Sequence, residues 1–421
     1  MMDAKWSRTP ATHDGHAGGS GGVVEPRPEA AAVPPYVPGM SADELARRIG
    51  RPVIKLASNE NPLGPSPLAV QAAAAALAGA HRYPHPLAGD LREALAALHR
   101  VCPEQVLVAN GSDEVIRLLA ETYLRPGDRV VVARPGFSAY GRAARLMGAR
   151  VDEVDVTADG APDLPAMAAA CRGEAGCGGE GRGDSGSGGA GGGDNPHGAG
   201  GRGAARMVFL CRPNNPTGGV FDEDAFAAFV EEIPQGCLVV LDEAYKEFDD
   251  TPFNGIDWLD RCPGLVVVRT FSKVYGLGGL RLGYGIAAEA IWRPVLTIRD
   301  PFSVNSIAQA AGLAALSDHE HLARSLELAR QGRQFLSRLA ADLGLRAYPS
   351  QANFVLIDVG RDAQAVHAAL LEHGIIVRPT TSFGLPTCIR VTCGLPEENR
   401  RFAEALRAVL AAGPAAASPQ G

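Results

Sequence analysis

The 421-residue sequence contains no C-x-x-C pair, and its eight cysteines are scattered without metal-like spacing. Neither a zinc knuckle nor a dithiol redox motif is encoded. Cys388 and Cys393 are near neighbours, but the stretch joining them reads as a strand. Free thiols in a reducing cytoplasm, with no metal, are the expectation. No run approaches the apolar length of a membrane span. The first 35 residues, polar and rich in Gly, Pro and His, lack the apolar core of a secretory signal. Excess positive charge is missing too: a net charge of −7 and a pI near 5.8 argue against nucleic acid, whose backbone attracts a basic face. No G-x-G-x-x-G opens a helix after the first strand, which speaks against a nucleotide-binding oxidoreductase.

What is present can build a large core: 46% of the residues are hydrophobic, enough for one major and one smaller domain. Residues 1–34 have too few large apolar side chains to fold and read as a disordered tail. The stretch 172–205 is dominated by Gly with Ser, Asp and Arg, and reads as a flexible surface insertion. Between them, short apolar runs (Val106 to Ala109, Arg129 to Ala133, Met207 to Cys211, Leu238 to Leu241, Leu265 to Val268) alternate with helical patterns (Asp90 to Arg100, Asp113 to Leu124, Asp222 to Ile233). Strands apolar on both faces belong in a mostly parallel central sheet flanked by helices, an α/β fold. Toward the C-terminus, helical patterns at His319 to Leu343, Ala363 to His373 and Glu397 to Leu410 surround strands near Asn353 to Asp358, Ile375 to Val377 and Cys388 to Cys393. That mixture predicts a smaller α+β domain. The expected division is an N-terminal arm over 35–67, a large domain over 68–300, a small domain over 301–412 and a tail over 413–421.

Several segments carry chemistry. Thr270-Phe-Ser-Lys-Val-Tyr-Gly-Leu-Gly-Gly-Leu-Arg-Leu-Gly283 follows a β-rich run. It places Lys273 among hydroxyls, backbone N–H groups and the guanidinium of Arg281, a setting that suits an amine beside a phosphate. Asp242 ends an apolar strand, where open α/β sheets place ligands; alone it could equally cap a helix or face solvent. Cys211-Arg-Pro-Asn-Asn-Pro-Thr-Gly218 follows another strand and by composition is a turn. In Val106 to Ile116, a Gly turn leads into a helix start whose free N–H groups attract phosphate, although Ser112 or Asp113 could simply be its N-cap. Arg378 and Arg390 lie on or beside strands, where burying a cation is expensive unless it meets an anion or snorkels outward. Val53 to Pro67 is too Pro-dense for regular structure.

In this order and spacing, over roughly Pro35 to Val409 without the insertion, these segments resemble the fold type I (class I/II) aminotransferases that use pyridoxal 5′-phosphate (PLP). Among these they are similar to the histidinol-phosphate aminotransferases. The resemblance implies that Lys273 is catalytic and binds the cofactor. It implies that Asp242 partners the pyridinium nitrogen, that Asn215 and Tyr245 reach the ring oxygen, and that Phe137 stacks on the ring. Ser112, Asp113, Thr270, Ser272 and Arg281 would hold the phosphate. Phe137 stands where many such relatives carry tyrosine, so it keeps the stacking and loses a hydroxyl. The segment containing Lys55-Leu-Ala-Ser-Asn-Glu-Asn-Pro-Leu-Gly64, with Asn59, resembles the substrate-covering arm, as does Pro35-Tyr-Val-Pro-Gly39. Arg390 matches the arginine for the substrate carboxylate, and Arg378 joins it toward the substrate phosphate. His81-Arg-Tyr-Pro-His-Pro86 resembles a Tyr-Pro-Asp loop whose tyrosine, here Tyr83, reaches the neighbouring subunit's cofactor in a homodimer; His85 replaces the aspartate. The implied reaction is transamination of L-histidinol phosphate with 2-oxoglutarate in histidine biosynthesis. An aromatic amino-acid aminotransferase, a threonine-phosphate decarboxylase and a non-catalytic PLP-binding regulator are the alternatives. Partners would be small molecules and a second copy, with no nucleic acid and no membrane.

Overall fold

The computed structural model describes residues 24–35, 40–174 and 203–412. Strand β1 (Ile54–Leu56) precedes a seven-stranded sheet made of β2 (Val106–Ala109), β3 (Arg129–Arg134), β4 (Arg150–Asp155), β5 (Met207–Cys211), β6 (Leu238–Asp242), β7 (Leu265–Thr270) and β8 (Gly283–Ala287). Their order is β2-β8-β7-β6-β5-β3-β4. All pairings from β7 to β4 are parallel, while β8 runs antiparallel to both β2 and β7. Alternate residues of a strand point to opposite faces, so each central strand feeds two cores. Val131, Val208, Leu210, Val239, Leu241 and Val267 meet the helices Gly89–His99, Leu164–Arg172 and Glu223–Glu232 on one side. Val130, Met207, Phe209, Val240 and Val266 meet the helices Ser112–Tyr123, Ser138–Leu146 and Glu289–Ile298 on the other. Burial of each such side chain contributes roughly 1.5–3 kcal/mol. Asp222 caps its helix as its position predicts, its carboxylate accepting from the Ala225 N–H at 2.8 Å.

Two strands of this sheet escape a search for apolar runs. β4 is an edge strand with polar residues, Arg150-Val-Asp-Glu-Val-Asp155. β8 carries two glycines, weak strand formers; a Cβ on Gly285 would lie 2.7 Å from the Trp292 ring, so packing demands glycine there.

The second sheet joins β9 (Arg346–Ala347), β10 (Phe354–Asp358), β11 (Ile375–Pro379) and β12 (Cys388–Thr392) in the order β1-β11-β12-β10-β9. The helices His319–Asp342, Ala363–Glu372 and Pro396–Ala411 cover it. Three expectations need correction. Val53 to Pro67 is not wholly irregular: Ile54–Leu56 pairs in parallel with Ile375–Val377, and the chain stays extended there because Ile54 and Leu56 bury into the small core. Among the described residues of the tail over 1–34, Pro28–Ala32 forms a helical turn that buries no side chain; Pro at the first turn followed by Glu and Ala favours it. The insertion is also shorter than 172–205 at its edges. Arg172 ends a helix capped by Gly173 at φ 81°, and Ala205 is buried. Residues 175–202, like 36–39 of the Pro35-Tyr-Val-Pro-Gly39 segment, lie outside the described residues. The helix Ser306–Ser317, which a division at residue 301 would put in the small domain, packs on Pro67–Leu77 and Gly89–His99.

A buried ion pair braces the strands that carry the site. Arg269 on β7 reaches Glu243, just beyond β6, at 2.7 Å, and Glu243 also accepts the Gly255 N–H at 2.9 Å. Glu243→Ala leaves that guanidinium buried without its carboxylate and is expected to cost roughly 3–5 kcal/mol in urea or thermal unfolding. Wild-type stability in the variant would refute this bracing role.

Candidate active site

The parallel strands end on one side of the sheet, and the chemistry-bearing residues collect there, as strand polarity in open α/β folds predicts. Asp242 is the last residue of β6 and is buried. The Tyr140 hydroxyl donates to its Oδ2 at 2.6 Å, and the Ala244 N–H donates to its Oδ1 at 2.9 Å. Burial pushes the carboxyl up to about 6, against these two donors, which hold it down. Lys273 sits in the loop after β7, with Nζ 3.4 Å from the Ser58 carbonyl and 5.6 Å from the centre of the Tyr245 ring. Burial, and then the Arg390 cation, lower this amine to about 8. Lys273 and Asp242 lie close enough for each charge to act on the other.

Around this pair three chain segments interlock. Arg390 on β12 donates from Nη1 to Asn215 Oδ1 at 2.5 Å and from Nη2 to the Ala57 carbonyl at 2.8 Å. Asn59 adopts the left-handed conformation (φ 55°), which asparagine tolerates better than most residues. Its Nδ2 donates to the Tyr245 hydroxyl at 2.9 Å, its N–H donates to Thr392 Oγ1 at 3.0 Å, and its carbonyl accepts from Asn353 Nδ2 at 3.0 Å. Arg378 is the register partner of Arg390, and its guanidinium lies 6.0 Å from the centre of the Phe383 ring.

An anion cradle lies alongside. The helix Ser112–Tyr123 starts at Ser112, and Asp113 meets Arg281 at 3.2 Å. Arg281 itself is left-handed at φ 55°. A Cβ on Gly111 would fall 2.7 Å from Arg281 Nη2, and one on Gly283 2.5 Å from the Ser112 nitrogen, so only glycine lets these groups approach. Thr270 is buried; its hydroxyl donates to the Leu282 carbonyl at 3.3 Å and accepts the Ser272 N–H at 3.1 Å, which shapes the turn holding Ser272. Half-buried Phe137 contacts Tyr140 edge-on, with ring centres 5.5 Å apart.

Tyr83 is not brought to this cluster. It is 84% exposed and stacks on Phe302 at 4.8 Å. A cavity of about 510 Å³, lined by Arg206, Cys237, Arg261 and Cys262 among others, contains none of these residues; Leu238 and Gly264, beside it, lie at the opposite ends of the strands. Tyr140 and Thr392 lie in the segments that carry Phe137 and Arg390 but have no role of their own there, and Asn353 belongs to no motif. Only Tyr140 had a local clue, lying three residues after Phe137 and so on the same side of a helical turn.

The donor set suits a small phosphorylated aromatic aldehyde: a near-neutral amine, a buried carboxylate and a cradle for a phosphate. The model of the class I and II aminotransferases matches residues 51–406. The chain belongs to this family. A protein named histidinol-phosphate aminotransferase, from Symbiobacterium thermophilum, is 50% identical over 381 residues, covering 90% of this chain and 97% of that protein. Another of that name, from Moorella thermoacetica, is 41% identical over 384 residues, covering 90% and 92%. The crystal structure of a histidinol-phosphate aminotransferase from Sinorhizobium meliloti in complex with pyridoxal-5′-phosphate superimposes with a TM-score of 0.79 at 28% identity, covering 93% of this chain and 99% of that one. This aminotransferase therefore has the fold type I architecture, with a mostly parallel central sheet. Among its described residues no helix is long and apolar enough to cross a membrane.

Proposed function

We propose that this aminotransferase holds PLP and transfers the amino group of L-histidinol phosphate to 2-oxoglutarate, a step of histidine biosynthesis. Arg378 and Arg390 carry the reading: two cations stand directly opposite each other on β11 and β12. Like charges so placed repel, and an anionic substrate relieves that repulsion. Bound PLP supplies an electron sink for negative charge at the substrate Cα. Lys273 Nζ would hold the cofactor and, as a free amine, would accept the proton from the substrate Cα and deliver it to the cofactor carbon C4′ rather than back to Cα. Asp242 keeps the ring nitrogen protonated through its opposite charge. Asn215 and Tyr245 orient the ring oxygen, and Phe137 covers a ring face. Ser112, Ser272 and Arg281 would hold the phosphate, with Asp113 contributing through its backbone N–H at the helix start and its carboxylate orienting Arg281, and Thr270 would shape their turn. Arg390 and Arg378 take the anionic ends of the substrates, and Asn59 closes the arm over them.

The active unit is a homodimer in the cytoplasm. Leu68, Val70 and Leu77 on one helix, Leu313 on the helix packed against it, and the stacked Tyr83 and Phe302 all expose apolar surface. A second copy would cover that surface and bring Tyr83 to the neighbouring cofactor. Cys102, Cys171, Cys211, Cys237, Cys262, Cys388 and Cys393 are free, in keeping with a reducing compartment. The test is purified protein with 2-oxoglutarate against histidinol phosphate, phenylalanine and threonine phosphate. Glutamate forming fastest with histidinol phosphate supports the reading. Preference for phenylalanine, or carbon dioxide released from threonine phosphate, overturns it. Sedimentation of a monomer at assay concentration would remove the trans role of Tyr83.

A further inference from the structure

Tyr140 lies inside the site at the end of the segment Arg134-Pro-Gly-Phe-Ser-Ala-Tyr140 that carries Phe137, where the motif gives it no role of its own. It is buried on the helix Ser138–Leu146, its ring stacked on Phe209 with centres 4.8 Å apart and planes 10° apart, and touched edge-on by Phe137. Those contacts fix the ring. The hydroxyl makes a short bond, 2.6 Å to Asp242 Oδ2, and also meets the Cys211 thiol. A phenylalanine would satisfy the packing, so packing does not account for the oxygen.

We propose that Tyr140 is a positioning residue for Asp242: its hydroxyl locks the buried carboxylate in one orientation and keeps it ionised for the ring nitrogen of the cofactor. With the Ala244 N–H on Oδ1 and the Tyr140 O–H on Oδ2, rotation of the carboxylate would break both bonds. Each oxygen keeps a lone pair for a further donor. The inference rests on the role given to Asp242 above.

The surroundings make such a donor necessary. Burial penalises the charged form most, and Asp113, on the helix Ser112–Tyr123, adds a like charge. Cys211, register partner of Asp242 on β5, donates its thiol to the Pro213 carbonyl and also meets the Tyr140 hydroxyl, and Tyr245 keeps its proton because burial raises it. Lys273 helps from across the site. Tyr140 is the side chain whose hydrogen bond holds the carboxyl down, and its own proton is held firmly by burial and by Asp242.

The test uses Tyr140→Phe, alone and combined with Asp242→Asn, in cofactor-free protein. The folded carboxyl lies at about 6, above the ordinary 3.8, so ionisation costs the folded state, and stability falls as pH rises through that interval. Loss of an O–H donor to a buried carboxylate should move the fall upward by about one unit. The melting-temperature gap between wild type and Tyr140→Phe should therefore be small near pH 5.5, widen toward pH 8, and vanish in the Asp242→Asn background. A gap that is equal at both pH values, or that persists with Asp242→Asn, overturns the proposal. Asp242→Asn that binds PLP and turns over normally would overturn the role of Asp242 instead; the widening gap in cofactor-free protein would still support the pairing.

Discussion

Lys273→Ala is expected to lower kcat by about 10⁴-fold or more while PLP still binds, now reversibly. Removing one positioned proton-transfer group typically costs about 10²–10⁴-fold, and in the role proposed for Lys273 the same nitrogen also makes the covalent attachment. The change removes the Lys273 charge near Asp242 and the Tyr245 ring but leaves the Arg281–Asp113 pair and the Tyr140–Asp242 hydrogen bond in place, so affinity for the cofactor should fall far less than turnover. Borohydride should fix the cofactor to the wild-type chain and leave the variant unlabelled. The pH dependence has a definite sign. Burial and Arg390 lower the amine to about 8, so capture of PLP by cofactor-free wild type should rise with pH and level off above that value. Near-normal turnover in Lys273→Ala, or a borohydride-stable adduct, would end the assignment of this lysine.

How much of this was legible in the sequence depends on how local each signal is. The continuous apolar runs of β5, β6 and β7 predict strands within a residue or two of their ends, because a strand buried on both faces has no polar position to confuse the pattern. β4 and β8 violate that pattern for opposite reasons: one is a polar edge, the other is kept small by Trp292. β1 is three residues long, and only its pairing with β11 makes it a strand. Within the site, Lys273, Asp242, Asn215 and Arg281 are legible because each sits in a motif whose neighbours are sequence neighbours. Tyr140, Thr392 and Asn353 touch the site only through tertiary contact; Asn59 and Thr392 are 333 residues apart. The sequence placed Asn59 toward the substrate, and the structure adds that its side chain is engaged with Tyr245 and Thr392. Burying such an amide requires partners, and the partners come from the other end of the chain.

Arg390→Ala should have the second largest effect, because one guanidinium joins three segments. Its two donors reach Asn215 in the loop after β5 and Ala57 in the N-terminal arm, while its own strand belongs to the small sheet. Truncating one partner of a buried, hydrogen-bonded charge typically costs about 2–5 kcal/mol. On kcat/KM that corresponds to a loss of about 30- to 4,000-fold. Arg390→Lys should recover little, since a single ammonium cannot span both the Asn215 side chain and the Ala57 carbonyl in the fixed fork that guanidinium provides. A second, independent readout follows from charge. Arg390 is the second largest cause of the lowered Lys273 amine, so removing it lets that amine climb toward its ordinary range. The rise of PLP capture with pH should then shift to higher pH in Arg390→Ala than in wild type. A variant that loses activity without this shift would leave Arg390 as a substrate contact alone. A variant with the shift and unchanged kcat/KM would make it a tuner of Lys273 and nothing more. Only both effects together fit a cation that faces the substrate and the catalytic amine at once.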